Sequence, residues 1–166
     1  MADLKWLDGY SGETLDDLLA LSGEYRIDSL VVAMGQALDQ KAAEDGEMSL
    51  SDEERVVLAV NALEREVNNG GYSQFFANSS SEFASMIVNS LLSIRCPETA
   101  SITQDAIDVL GIEDFSPEAL EAAIESENDA RDERLDECDG LYYGTGEDIA
   151  GQLFEFVLAN RDAIQL

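Results

Sequence analysis

The strongest constraint on how this chain can fold is a helix that is forced to stop. Between Leu50 and Asn78 the sequence reads LSDEERVVLAVNALEREVNNGGYSQFFAN. Ser51 stands where an N-cap hydroxyl is needed, and Glu54, three residues on, completes a capping box. Val56, Ala59, Val60, Leu63 and Val67 then recur at helical spacing and share one face. Asn68-Asn69-Gly70-Gly71 ends the run, because Asn and Gly enter the left-handed region at least cost. A short aromatic segment follows, closed by Asn78. The stretch reads as scaffold: Asn and Gly serve the turn, Gln74 and Asn78 satisfy backbone groups around a tight corner, and Phe75 and Phe76 anchor a core. The competing reading is a polar site built from Glu66, Asn68, Asn69, Gln74 and Asn78.

The rest of the chain repeats the helical pattern. Thr14 is placed to cap a short helix with Leu15, Leu18 and Leu19 inward, and Ser22-Gly23 breaks it. A second helix is predicted over about 24–44. Ser79–Ser81 is a turn expected to cap a helix bearing Phe83, Ile87, Leu91 and Ile94, ended by Cys96-Pro97. The next helix, about 98–110, stops at Gly111. Ser116-Pro117 starts a long helix to about Asp139, a loop follows, and Thr145 with Asp148 resembles a capping box for the last helix. No period-two run of β-branched residues occurs with hairpin turns around it, so the predicted fold is all-α, a bundle of about seven to eight helices. With 166 residues, 45% of them hydrophobic, and only two prolines, one domain over 1–166 is expected.

Charge separates this chain from an ordinary helical domain. Thirty-six acids against nine bases leave a net −27. Such a field repels nucleic acid, anionic membrane and phosphorylated metabolites, and attracts basic partners and cations. Acidic, lysine-poor surfaces also keep proteins soluble in high salt, with no partner implied. No apolar run is long enough to cross a membrane, and MADLKWLDGYSGE has no basic head before an apolar stretch, so a cytoplasmic protein without a signal peptide is expected. Cys96 and Cys138 lie far apart without metal or redox spacing and are expected to be reduced, small hydrophobes.

The acids concentrate in one place. Residues 113–148 hold fourteen acids and two arginines, a net −12, against −15 for all the remaining residues. Within the predicted helix, Glu118, Glu121, Glu125, Asp129, Asp132, Asp136 and Asp139 recur every three or four residues. At about 100° per residue they stay within roughly one quarter of the circumference. Leu120, Ile124, Leu135 and Cys138 fall opposite, continued by Tyr142 if the helix extends. Carboxylates about 5 Å apart along a helix are comparable in scale with a DNA strand, which carries one charge per about 3.4 Å. A basic groove built for phosphates is the partner such a face suits; a merely solvated outer helix is the alternative.

Much chemistry is absent. The chain has no histidine, which removes Ser-His-Asp, Cys-His and imidazole-metal sites. It has no Walker A or G-x-G-x-x-G run, and Gly140 cannot serve as the EF-hand glycine because Leu135 would occupy the first loop position. The expectation is no enzyme, no cofactor and no metal, with a carboxylate-metal enzyme as the last alternative.

The segment EREVNNGGYSQFFANSS, residues 64–80, resembles the signature of a bacterial family named for an acidic DNA-mimic protein. Its positions are Glu66, Val67, Asn68, Asn69, Gly70, Gly71, Tyr72, Gln74, Phe75, Phe76 and Asn78, and the likeness extends over roughly residues 10–160. The resemblance implies a compact all-α fold and a homodimer. It also implies a carboxylate surface that imitates duplex DNA, with a DNA-binding transcription factor as partner. The signature itself maps onto no binding site; on this reading the partner contacts are the seven acids from Glu118 to Asp139.

Overall fold

A computed structural model describes residues 3–166; Met1 and Ala2, at the head of the stretch read for a signal peptide, lie outside the described residues. Among the described residues the chain forms eight α-helices, four 3-10 turns and no strand. The all-α expectation holds. Backbone proximity groups the chain into two compact units, Met1–Asn61 with Asp148–Leu166, and Ala62–Glu147.

The first unit holds α1 (Leu15–Ala20), α2 (Ile27–Asp45), the opening turns of α3 (Asp52–Ala77) and α8 (Ile149–Ala159). Thr14 and Asp17 cap α1 reciprocally, as read from the sequence. Helix α2 packs against α1 and α8, burying Leu18, Leu30, Met34, Leu38, Leu153 and Val157. The capping box of α3 is present in both directions: Glu54 N–H donates to Ser51 Oγ at 3.1 Å, and Ser51 N–H to Glu54 Oε2 at 3.0 Å. Glu54, 2% exposed, also accepts from Lys41 Nζ at 2.9 Å and from Gln165 N–H at 2.8 Å, so one carboxylate joins α2, α3 and the C-terminal segment. A buried carboxylate with this many donors is a satisfied one.

The second unit holds the rest of α3, then α4 (Ile87–Ser93), α5 (Pro97–Val109), α6 (Pro117–Glu125) and α7 (Asp129–Gly144). Helix α5 lies against both α4 and α7. Tyr72, Phe75, Phe76, Ile87, Leu91, Leu120 and Leu135 form its core.

Four local expectations change. The predicted long helix from Pro117 is two helices, because Ser126 adopts an extended conformation and Asn128 starts a new helix by accepting the Arg131 N–H at 3.0 Å. The predicted loop after Asp139 is helical to Gly144; Tyr142, buried edge-on against Tyr72, gives these residues an inward face. Asp148, not Thr145, caps α8, accepting the Gly151 N–H at 3.0 Å, since Gly146 at φ 71° turns the chain after Thr145. Ser79–Ser81 form a 3-10 turn and do not cap α4, whose N-cap position is Met86.

Candidate acidic interaction surface

The glycine corner sets the position of α7. Gly70 and Gly71 leave helical geometry, and residues 72–77 resume it at once, so the aromatic segment is a helical turn after a kink. Gly71 has φ 79° and ψ −177°. The Tyr72 N–H, left without an intrahelical partner by the kink, donates to Asp139 Oδ1 of α7 at 2.8 Å. One turn on, Tyr142 meets Tyr72 edge-on at 5.9 Å, and its hydroxyl donates to Glu64. The Tyr143 hydroxyl donates to the Val67 carbonyl. The Tyr72 hydroxyl pairs with Thr103 Oγ1 at 2.8 Å, tying in α5 as well.

Glu66 closes the corner from the other side. Gln74 Nε2 at 2.7 Å, Asn78 Nδ2 at 2.9 Å and Arg65 Nε at 3.3 Å all donate to its carboxylate. Burial pulls the Glu66 carboxyl up, but these donors outweigh it and hold the group below the usual carboxylate range. Asn68 Nδ2 donates to the Glu64 carbonyl at 2.7 Å. Phe75 and Phe76 are fully buried. Apart from the exposed Asn69, the side chains of the signature are engaged in holding the corner, but Gln74 and Asn78 do so by serving the Glu66 carboxylate and not the backbone groups expected of them.

The seven acids divide between two helices: Glu118, Glu121 and Glu125 on α6, and Asp129, Asp132, Asp136 and Asp139 on α7. Each set keeps its helical spacing, but the break at 126–128 means that the helix repeat no longer relates one set to the other. Six are exposed; Asp139 is half-buried. Asp132 is bound by Arg131 through Nη2 at 2.8 Å and Nε at 3.1 Å. That leaves Glu118, Glu121, Glu125, Asp129 and Asp136 as exposed carboxylates with no base of the chain in ion-pair contact, among the described residues.

Arg131 was invisible as a structural residue in the sequence. It is 7% exposed, and its guanidinium collects the carbonyls of Ala123, Ile124 (3.1 Å) and Ser126 (2.8 Å) at the end of α6. These are carbonyls that the ended helix leaves without partners. The one available signal was an arginine three residues after a possible Asn N-cap, closely following an acidic helix.

Asp139 titrates against its setting. Burial pushes its carboxyl up, the Asp136 charge adds to this, and the Tyr72 N–H opposes both. A raised folded pKa gives stability that is complete below the unfolded value of about 3.9 and is lost as pH rises through the folded value. Asp139→Asn keeps an acceptor for Tyr72 and removes the charge. It is expected to match or exceed the native stability at pH 7 in urea unfolding, and to lose this advantage in acid. Asp139→Ala leaves the Tyr72 N–H without its partner and is expected to lose about 1–2 kcal/mol.

Among the described residues, no three Cys, Asp or Glu side chains group so as to hold a metal ion, and no helix is long and apolar enough to cross a membrane. The sequence profile of the DMP19-like protein family matches residues 48–160, from the 3-10 turn before α3 to the residue after α8. No curated protein matches the chain. The match covers well over half of the sequence, and the chain belongs to the DMP19-like family.

Proposed function

We propose that this DMP19-like protein is a DNA mimic: an acidic binding module, not an enzyme, that occupies the DNA-binding surface of a basic DNA-binding protein. The observation that carries the reading is the set of exposed carboxylates on α6 and α7, in a segment whose charge is −12 over residues 113–148. Family membership supports it through the DNA-mimic character for which the family is named. Glu118, Glu121, Glu125, Asp129 and Asp136 are the principal contacts; Asp132 contributes a carboxylate already shared with Arg131. The partner is a transcription factor or similar protein whose phosphate-binding groove accepts these groups in place of DNA. Binding is steered by long-range charge and weakened by salt. The protein acts in the cytoplasm as a homodimer, a state that sedimentation measures directly.

The test is capture from the protein's own cell extract at low salt, followed by competition with duplex DNA. The expected result is a basic DNA-binding protein, displaced by DNA and bound at least about tenfold more weakly at several hundred millimolar salt. Reversing charge at Glu125, Asp129 and Asp132 together abolishes capture. If capture survives that triple reversal, or if duplex DNA does not compete, the mimic reading is wrong.

A second reading is favoured by the −15 that lies outside this segment. On it, acidity serves solvation in a salt-adapted cell, and stability rises steeply between low and molar salt as self-repulsion is screened.

A further inference from the structure

One exposed aromatic ring continues the carboxylate row of α7. Taking about 100° per residue, Tyr143 lies about 20° from Asp136 around the helix, inside the arc spanned by Asp129, Asp132 and Asp136. It stands about 10 Å beyond Asp136 along the axis. Between them Asp139 is turned toward the Tyr72 N–H, and Gly140 presents no side chain. A Cβ built on Gly140 would meet nothing within 4 Å, so the space behind the ring is open.

The ring is exposed and yet held. Tyr143 is 58% exposed, its hydroxyl donates to the Val67 carbonyl, and Tyr142 contacts it edge-on at 5.8 Å. A ring already fixed loses little rotamer freedom when something stacks on it. Its face carries negative quadrupole potential, which adds to the field of the carboxylates behind it. Among the described residues, the chain's own bases lie over Tyr25 and Trp6, and none lies over Tyr143.

We infer that Tyr143 is an arginine-stacking anchor at the end of the α7 carboxylate row, and that the partner surface suited to it presents an arginine beside its basic groove. A planar guanidinium can stack on the ring face within the field of the carboxylate row; a strongly hydrated ammonium does this less well. The inference rests on the acidic-surface reading above, and it adds a contact that salt screens less than it screens the carboxylates.

Binding of two synthetic peptides, deca-arginine and deca-lysine, measured by calorimetry at fixed salt, tests it. Tyr143→Leu is expected to weaken deca-arginine binding by about two- to five-fold and deca-lysine binding by less. Tyr143→Phe, which keeps the ring, stays within about twofold of the native protein for both peptides. An unchanged deca-arginine affinity in Tyr143→Leu, or an equal loss for the two peptides, overturns the anchor. The charge reversal at Glu125, Asp129 and Asp132 serves as the separate arm: if neither peptide responds to it, the acidic-surface reading fails instead.

Discussion

Gly71→Ala is expected to lower stability by about 3 kcal/mol, seen as a fall of roughly 6–12 °C in the thermal midpoint. Two independent costs contribute. At φ 79° and ψ −177° the backbone occupies a region that is essentially reserved for glycine. A Cβ there would also lie 2.2 Å from Asp139 Oδ2, so the carboxylate must swing away and give up the Tyr72 N–H. Gly71→Asn should fare no better, because asparagine tolerates the left-handed helical region and not this extended one. Gly70→Ala is the control. Its φ of −156° lies outside the positive region reserved for glycine, and the added carbon meets chiefly the movable Gln74 side chain, so the loss is about 1 kcal/mol from the weakened Gln74–Glu66 bond. Equal losses at the two glycines would mean that steric crowding, and not the Gly71 backbone, governs the corner.

That contrast shows how far the sequence could be read. Asn-Asn-Gly-Gly announces that a helix ends, since its residues are the ones that leave helical geometry cheaply. It cannot announce that another helical turn begins immediately, because that depends on Phe75 and Phe76 finding a buried place and on Asp139 receiving the Tyr72 N–H from 67 residues away. Helix existence and helix faces were legible because periodicity is local: the cap at Ser51 and Glu54 and the inward leucines of α1 stand as read. The break at 126–128 was not, because the carboxylate spacing runs through it without a change of step and no glycine or proline marks it. Ser126 and Asn128 are compatible with a helix interior at modest cost. The buried Arg131 fork, a contact from one helix to the end of the other, accompanies the break. The same limit applies to the candidate surface. Acids could be placed on a face by counting residues, whereas the neutralising contact at Asp132 and the inward turn of Asp139 depend on neighbours that no local pattern specifies.

Arg131→Ala gives the second large effect, and it separates charge from geometry. Removing the guanidinium withdraws donors from the Ala123, Ile124 and Ser126 carbonyls and from the Ser126 hydroxyl, and leaves a void where a 7% exposed side chain sat. With water able to reach some of those groups, a loss of about 2–3 kcal/mol is expected in urea unfolding. Arg131→Lys should recover less than half of it, because a point-charge ammonium cannot serve several carbonyls lying in the plane of a fork. The consequence for binding runs against simple Coulomb counting. The alanine variant is one unit more negative, and Asp132 loses its base, so a partner that responded only to total charge would bind it more tightly. A partner that reads α6 and α7 as one arranged surface would bind it more weakly, since Arg131 is what joins the end of α6 to the first turn of α7. On the mimic reading the expected outcome is weaker capture at unchanged salt, measured at a temperature where the variant remains folded. Tighter capture would assign the interaction to undirected charge and remove the geometric part of the argument.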